Sequence, residues 1–220
     1  MKLVLASGSQ RRRELLTMCG YDYEIIVSNA DETIDESDPE SFVRALSFRK
    51  AKEVFDRLFA AGRRDFAVIG SDTVVAFQKD GETKPVIIGK PKDAKDAVRI
   101  LSMLSGKTHR VFTGVSVIAD IPDENADAQC SIQEKAEIQT ECSITEVTFE
   151  TLSPDEITDY VNSGDPLDKA GSYGIQGPFG MFVREIRGNY FTVIGMPIPV
   201  LYKMLKKIGI LPHGFYERIE

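Results

Sequence analysis

Hydrophobic and polar residues along this chain fall into short apolar runs and longer periodic stretches, in alternation. Leu3-Val4-Leu5 suits a buried strand, and Gln10 to Met18 turns helical, with Gly20 placed as a left-handed stop. Tyr21 to Val27 is aromatic and β-branched, a second strand. Asp38-Pro39 reads as a helix cap followed by proline in the first turn. The helix it opens should run to about Ala61, with Val43, Leu46, Val54 and Leu58 on one stripe. Phe66 to Ile69 and Val74 to Phe77 predict two strand segments separated by Gly70-Ser71-Asp72-Thr73. Asp80-Gly81 signals a turn, and Asp93 to Leu104 predicts an amphipathic helix.

Val111 to Ala119 and Ser143 to Glu150 alternate as strands, with the polar, acidic residues 120–142 between them as an extended hairpin arm or loop. Ser153-Pro154-Asp155-Glu156 is a capping box, so a helix should reach about Asn162. Asp165 to Gly180 is too rich in glycine and proline for regular structure. Met181 to Ile186 and Tyr190 to Ile194 predict a hairpin around Arg187-Gly188-Asn189, and Ile198 to Ile208 a closing helix. No repeat or composition break divides the chain. One α/β domain over residues 1–208 is expected, with 209–220 as a tail.

Composition narrows the function classes. The chain has 220 residues, 42% of them hydrophobic, which supports a proper core. Its net charge of −7 argues against a general nucleic-acid or membrane-surface binder, though not against a small phosphorylated substrate in a local basic pocket. Cys19, Cys130 and Cys142 are widely spaced and form neither a zinc motif nor a disulfide framework. The N-terminus meets Arg11 too early for a secretory signal, and no apolar run nears the ~20 residues of a membrane span. A soluble cytoplasmic protein is the expectation.

The candidate chemistry clusters in four places. Ala6 to Ser9 are small and lead into a helix whose free N–H groups attract anions. Arg11, Arg12 and Arg13 in its first turn oppose the helix dipole, which suits an anion site or, alternatively, a basic turn paired with carboxylates. The acidic loop Ser28 to Pro39, with Glu32 among its members, is mostly a solvated run, although one or two carboxylates could ligate Mg²⁺ or Mn²⁺. Lys50 falls on the apolar stripe of its helix. From spacing alone it snorkels, while the other reading delivers a charge into a cleft. Asp72, between two apolar runs, is a metal ligand or general base, or else a turn former after Gly70. His109 has no nucleophile or orienting carboxylate nearby and is set aside. The polar loop with Asp168, Lys169, Tyr173 and Gln176 is a binding loop or a connector.

The segments ASGSQRRRELL, RALSFRKA, IGSDTVV, GKPKDA, LSGKTHRVFTGV and DPLDKAGSYGIQG, in this order and spacing, resemble the Maf family, the septum formation inhibitor proteins. The resemblance covers roughly Lys2 to Lys206, and departs from the family where Gln10 replaces a usual proline. It implies an inosine triphosphate pyrophosphatase-like fold: an elongated mixed sheet flanked by helices, with a central cleft between two lobes. It also implies a metal-dependent nucleoside triphosphate pyrophosphatase, and suggests a homodimer. By resemblance Asp72, Lys50 and Lys90 are catalytic, and Glu32 and Asp72 hold Mg²⁺ or Mn²⁺. Ser7, Ser9, Arg11, Arg12, Lys50 and Lys90 surround the phosphates. Thr73, Asp168, Lys169, Tyr173 and Gln176 complete the substrate contacts. Arg11, Thr73 and Gln176 match the branch that is similar to dTTP/UTP pyrophosphatases; the 7-methyl-GTP branch tends to carry Trp, Gln and Glu there. A modified-nucleotide pyrophosphatase and a non-catalytic regulator of cell division are the alternatives.

Overall fold

The structure is a computed structural model and describes residues 1–78, 81–121 and 136–214. Cys130, Lys79 and Asp80 of the predicted turn, residues 122–135 of the predicted arm and 215–220 of the tail lie outside them. The chain runs β1 (Lys2–Leu5), α1 (Gln10–Met18), β2 (Glu24–Ile25), α2 (Pro39–Ala60), β3 (Phe66–Phe77), β4 (Val86–Ile88), α3 (Ala94–Leu104), β5 (Thr108–Asp120), β6 (Ala136–Phe149), α4 (Pro154–Asn162), β7 (Val183–Arg187), α5 (Tyr190–Ile194) and α6 (Ile198–Lys207). Three 3₁₀ turns, Asp165–Asp168, Ala170–Ser172 and Pro178–Phe182, separate α4 from β7. The strands form one mixed sheet in the order β2-β1-β3-β5-β6-β7, with β4 also on β3.

Capping residues set several helices. Asp38 accepts a hydrogen bond from the Ser41 amide at 2.9 Å, and Pro39 presets the first turn of α2. Ser153 and Glu156 form the reciprocal capping box of α4. The residues read as the second arm of a hairpin, Tyr190–Ile194, are instead the short helix α5. The Asn189 side chain accepts from the Phe191 amide at its start, and Gly195, at φ +107°, ends it. The second predicted strand shrinks to Glu24–Ile25, the two residues that pair with Val4 and Leu5 of β1.

The larger correction concerns β3. The predicted break at 70–73 does not exist, and Asp72 lies inside one continuous strand of 12 residues. β5 hydrogen-bonds along one edge of it, from Ala67 to Ala76. On the other edge, β1 runs parallel over Phe66–Ile69 and β4 antiparallel over Val75–Phe77. Among the described residues, no strand pairs with 70–74 on that edge. The strand persists because its other edge satisfies it fully. β5 and β6 are also longer than their apolar alternation indicates, and residues 136–142 of the expected arm are regular strand.

Alternation along β3 sends Val68, Gly70, Asp72 and Val74 to one face and Ala67, Ile69, Thr73 and Val75 to the other. The first face carries α2. A Cβ on Gly70 would stand 2.2 Å from the Ser47 carbonyl oxygen, and one on Gly114 would stand 2.2 Å from that of Val43. These two glycines let the backbone of α2 lie directly on the sheet. The opposite face divides into two cores, one around α1 and α6 and one around α3, α4 and the aromatic cluster of Phe149, Tyr173 and Phe179. These are the two lobes, and β3 and β5 run through both. Cys19 and Cys142 are free thiols. No described helix is long and apolar enough to cross a membrane.

His109 lies in the second core, 2% exposed, with Nε2 3.0 Å from the Tyr173 hydroxyl and Nδ1 without a described partner. Burial pulls its pKa down to about 3. Below pH ~6.5 the unfolded chain takes up a proton that the folded one refuses, so stability is lost as pH falls from that value. His109→Gln should therefore lose about 2 kcal/mol less than the parent chain between pH 7 and pH 5 in urea unfolding. Equal losses would refute the buried neutral imidazole. Gly70→Ala or Gly114→Ala should cost about 1–3 kcal/mol through overpacking, and lower the calorimetric midpoint by about 2–4 °C per kcal/mol.

Candidate active site

The unpaired edge of β3 opens into a cavity of about 1420 Å³, walled by the loop after β1, α1, α2, the segment after β4 and the 3₁₀ turns. Clefts for small ligands usually measure about 300–1,000 Å³, so a nucleotide with its phosphates has room here. Ser7, Ser9, Arg11, Arg12, Glu32, Lys50, Asp72, Thr73, Lys90, Asp168, Lys169, Tyr173 and Gln176 all border it. The sequence-derived candidates thus converge, although they do not all present their polar atoms to the space.

At the floor, Lys50 Nζ lies 2.8 Å from Asp72 Oδ1 and 3.0 Å from Glu32 Oε1. The Lys50 and Asp72 side chains are only 12% and 13% exposed, whereas Glu32 is 65% exposed. Lys50 therefore does not snorkel to bulk water. Removing Lys50 would leave the largely buried Asp72 carboxylate without its ion-pair partner, a loss of about 3–5 kcal/mol, whereas Lys50 without Asp72 would still have Glu32. Glu32 and Asp72 meet at one ammonium, and no group of three or more His, Cys, Asp or Glu gathers among the described residues. Two hard oxygen donors suit a Mg²⁺ that draws its other ligands from phosphate and water.

The three arginines have separate positions. Arg11 borders the cavity without a hydrogen bond or ion pair to another described residue. Arg13 turns away and donates to the Gly8 carbonyl at 2.6 Å. Arg12 is held in place: Nε donates to the Gly195 carbonyl at 2.9 Å, and its two terminal nitrogens donate to Ser7 Oγ at 3.0 Å and Thr73 Oγ1 at 3.5 Å. Burial lowers the Arg12 pKa from the usual arginine value, and the nearby Asp72 charge opposes that shift. Ser7 Oγ also accepts from the Ser9 amide at 3.2 Å. With two bonds accepted, Ser7 retains its own proton as a donor for a ligand. Ser9 caps α1 by backbone position only and its side chain makes no cap bond, so the first N–H groups of the helix stay open to an anion.

Lys90 and Gln176 border the cavity with no described side-chain partner. Lys169 is engaged instead: its ammonium sits 3.0 Å from Asp165 Oδ1 and 2.7 Å from Asp168 Oδ1, which makes it a staple of the 3₁₀ segment. Tyr173 presents its ring to the wall but commits its hydroxyl to His109. Thr73, on the opposite face from Asp72, directs its hydroxyl at Thr113 and Arg12. Sequence reasoning missed Asp165, which receives the Tyr160 hydroxyl at 2.5 Å and anchors Lys169. It missed the Gly195 carbonyl, 183 residues from Arg12, for which no local pattern exists. It also missed Thr113, recognisable only from strand register.

Residues 2–208 match the family model described as Maf-like protein. A dTTP/UTP pyrophosphatase of Agathobacter rectalis is 39% identical over 217 residues, covering 95% of this chain and 98% of that protein. One from Bacillus thuringiensis subsp. konkukian is 43% identical over 210 residues, covering 95% and 96%. Among solved structures, the Ham1 protein of Staphylococcus aureus aligns over 94% of this chain and 100% of its own, at 14% identity and a TM-score of 0.46. The family model spans nearly every residue that builds the sheet and cavity, and the relatives match along almost their whole length: the chain belongs to the Maf family.

Proposed function

We propose that this chain hydrolyses dTTP and UTP to the nucleoside monophosphate and pyrophosphate, within the cavity bordered by β3. The activity named for its relatives supports the reaction, and one observation in the structure carries it. A carboxylate, Asp72, is held on an ammonium in a cavity whose other wall carries unpaired cations.

In this reading the triphosphate lies against Arg11, Arg12, Lys90, the Ser7 hydroxyl and the amino end of α1, which together offset its charge. Asp72 orients a water toward the α-phosphorus and accepts its proton. The water oxygen bonds to phosphorus, the bond from the α-phosphorus to the α–β bridging oxygen breaks, and pyrophosphate leaves with that oxygen. Lys50 donates to Asp72 and fixes its direction. A Mg²⁺ or Mn²⁺ on Glu32 and Asp72 would supply Lewis-acid neutralisation of the phosphate charge. The Gln176 amide both donates and accepts, which complements the O4 and N3–H edge of uracil or thymine.

The test is a panel of dTTP, UTP, CTP, dATP and 7-methyl-GTP with Mg²⁺ or Mn²⁺, reading monophosphate and pyrophosphate. dTTP and UTP should be preferred, and a chelator should abolish turnover. Asp72→Asn should lower kcat by about 10²–10⁴-fold, the usual worth of a positioned base. An unchanged rate in that variant, preference for 7-methyl-GTP, or nucleotide binding with no product under either metal would each overturn the reading.

A further inference from the structure

We propose that Thr113 is a positioning residue of this site: its buried hydroxyl fixes the direction of a hydrogen-bond chain that aims Arg12 at the phosphates. The proposal rests on the nucleotide reading above. Thr113 lies on β5 directly opposite Thr73 of β3 and is fully buried. Its Oγ1 donates to the Thr192 carbonyl of α5 at 2.7 Å. A hydroxyl carries one proton, so this bond spends it. The 3.0 Å contact between the two threonine hydroxyls then has one possible direction, with Thr73 donating to Thr113. Thr73 is left with lone pairs alone to offer Arg12, whose nitrogen donates to it.

The chain continues through the same guanidinium. Arg12 donates to Ser7 Oγ, which also accepts from the Ser9 amide, so the Ser7 proton faces outward. Three of the five Arg12 N–H groups are committed in this way, through Nε and both terminal nitrogens, which fixes the plane of the fork. The remaining two have the cavity as their outlet. Ser71 reinforces the far anchor by donating to the same Gly195 carbonyl at 3.0 Å. Polarity thus runs one way, from the ligand-facing side of Arg12 to the backbone of α5. Without the Thr113 hydroxyl, the Thr73 proton loses its acceptor and turns toward the guanidinium, donor against donor. Thr73 on this account acts on the phosphates through Arg12.

The test compares Thr113→Val, Thr113→Ser, Thr73→Val and the double valine variant with the parent chain. The probes are calorimetric binding of inorganic tripolyphosphate and steady-state kinetics with dTTP and CTP. Thr113→Val should weaken tripolyphosphate binding and raise KM for dTTP by about tenfold, the scale of one hydrogen bond to a charged group. The dTTP-to-CTP ratio of kcat/KM should stay fixed, because the base wall is untouched. Thr113→Ser, which keeps the hydroxyl, should restore binding, and the double variant should be no weaker than either single one. A general loosening of the core would not be rescued by serine and would not spare the base ratio. If Thr113→Val fails to fold, Thr73→Val cuts the same chain one step nearer Arg12 and must show the same tenfold loss. Parental tripolyphosphate binding in Thr113→Val or in Thr73→Val overturns the proposal, as does additivity in the double variant. Tripolyphosphate bound by the parent chain, with no triphosphate hydrolysed, would instead remove the functional reading and leave the role of Thr113 to be decided by binding alone.

Discussion

The direct contact of the α2 backbone with the sheet is the constraint on which the site depends. Side chains ordinarily fill the gap between a helix and the sheet it packs on. Here Gly70 of β3 and Gly114 of β5, diagonal across the pairing, supply no side chain, and the carbonyls of Ser47 and Val43 occupy the space. The approach brings the middle of α2 over residues 70–74 of β3. One turn of helix from Ser47, Lys50 then reaches Asp72 within hydrogen-bond distance while both remain largely buried.

The same stretch explains why a cavity exists. β1 ends where β4 has not yet begun, so five residues of β3 have a free edge toward α1 and the 3₁₀ turns. Alternation then sends Asp72 and Thr73 to opposite faces at the rim of one opening. Two chemically different supports reach that rim. An ion pair from α2 holds Asp72, and a neutral hydroxyl relay from β5 and α5 holds Thr73 and Arg12. Neither support touches the other, so a carboxylate and a guanidinium can be fixed close together without collapsing into a salt bridge.

Much of this was legible in the chain, for identifiable reasons. The caps of α2 and α4 are local chemistry, and Asp38, Ser153 and Glu156 act as written. The apolar stripe of α2 was also plain, yet Lys50 within it reads as a snorkelling residue until Gly70 is known to draw the helix down. That fact is non-local, because Gly70 in sequence resembles a turn residue and invites a break in β3. Tyr190–Ile194 has the composition of a strand, and a single Asn189 cap with tertiary burial makes it a helix. Tyr173 belonged to a polar loop by sequence but is held by His109, 64 residues away. The seven-residue stretch 136–142 is polar because it is half-exposed at the sheet's margin, and polarity alone mimics a loop.

The partners of Arg12 bear on how a buried cation can remain useful. Burying a guanidinium is costly unless its N–H groups are satisfied. A carboxylate would satisfy them most strongly and would also cancel the charge a phosphate must feel. The hydrogen-bond acceptors present are a backbone carbonyl and two hydroxyls, all neutral. They meet the directional requirement and leave the net positive charge intact, with Asp72 near enough only to moderate it. Arg11 acts on Arg12 as a like charge, and Arg11 and Lys90 border the cavity without ion-pair partners among the described residues, so its positive charge is under strain when no anion is present. A triphosphate relieves that strain on entering, and any ligand that binds the folded state alone stabilises it by mass action. The cationic wall is therefore a cost to the unliganded fold that its ligand returns, which is why an acidic chain can keep unpaired positive groups on one cavity.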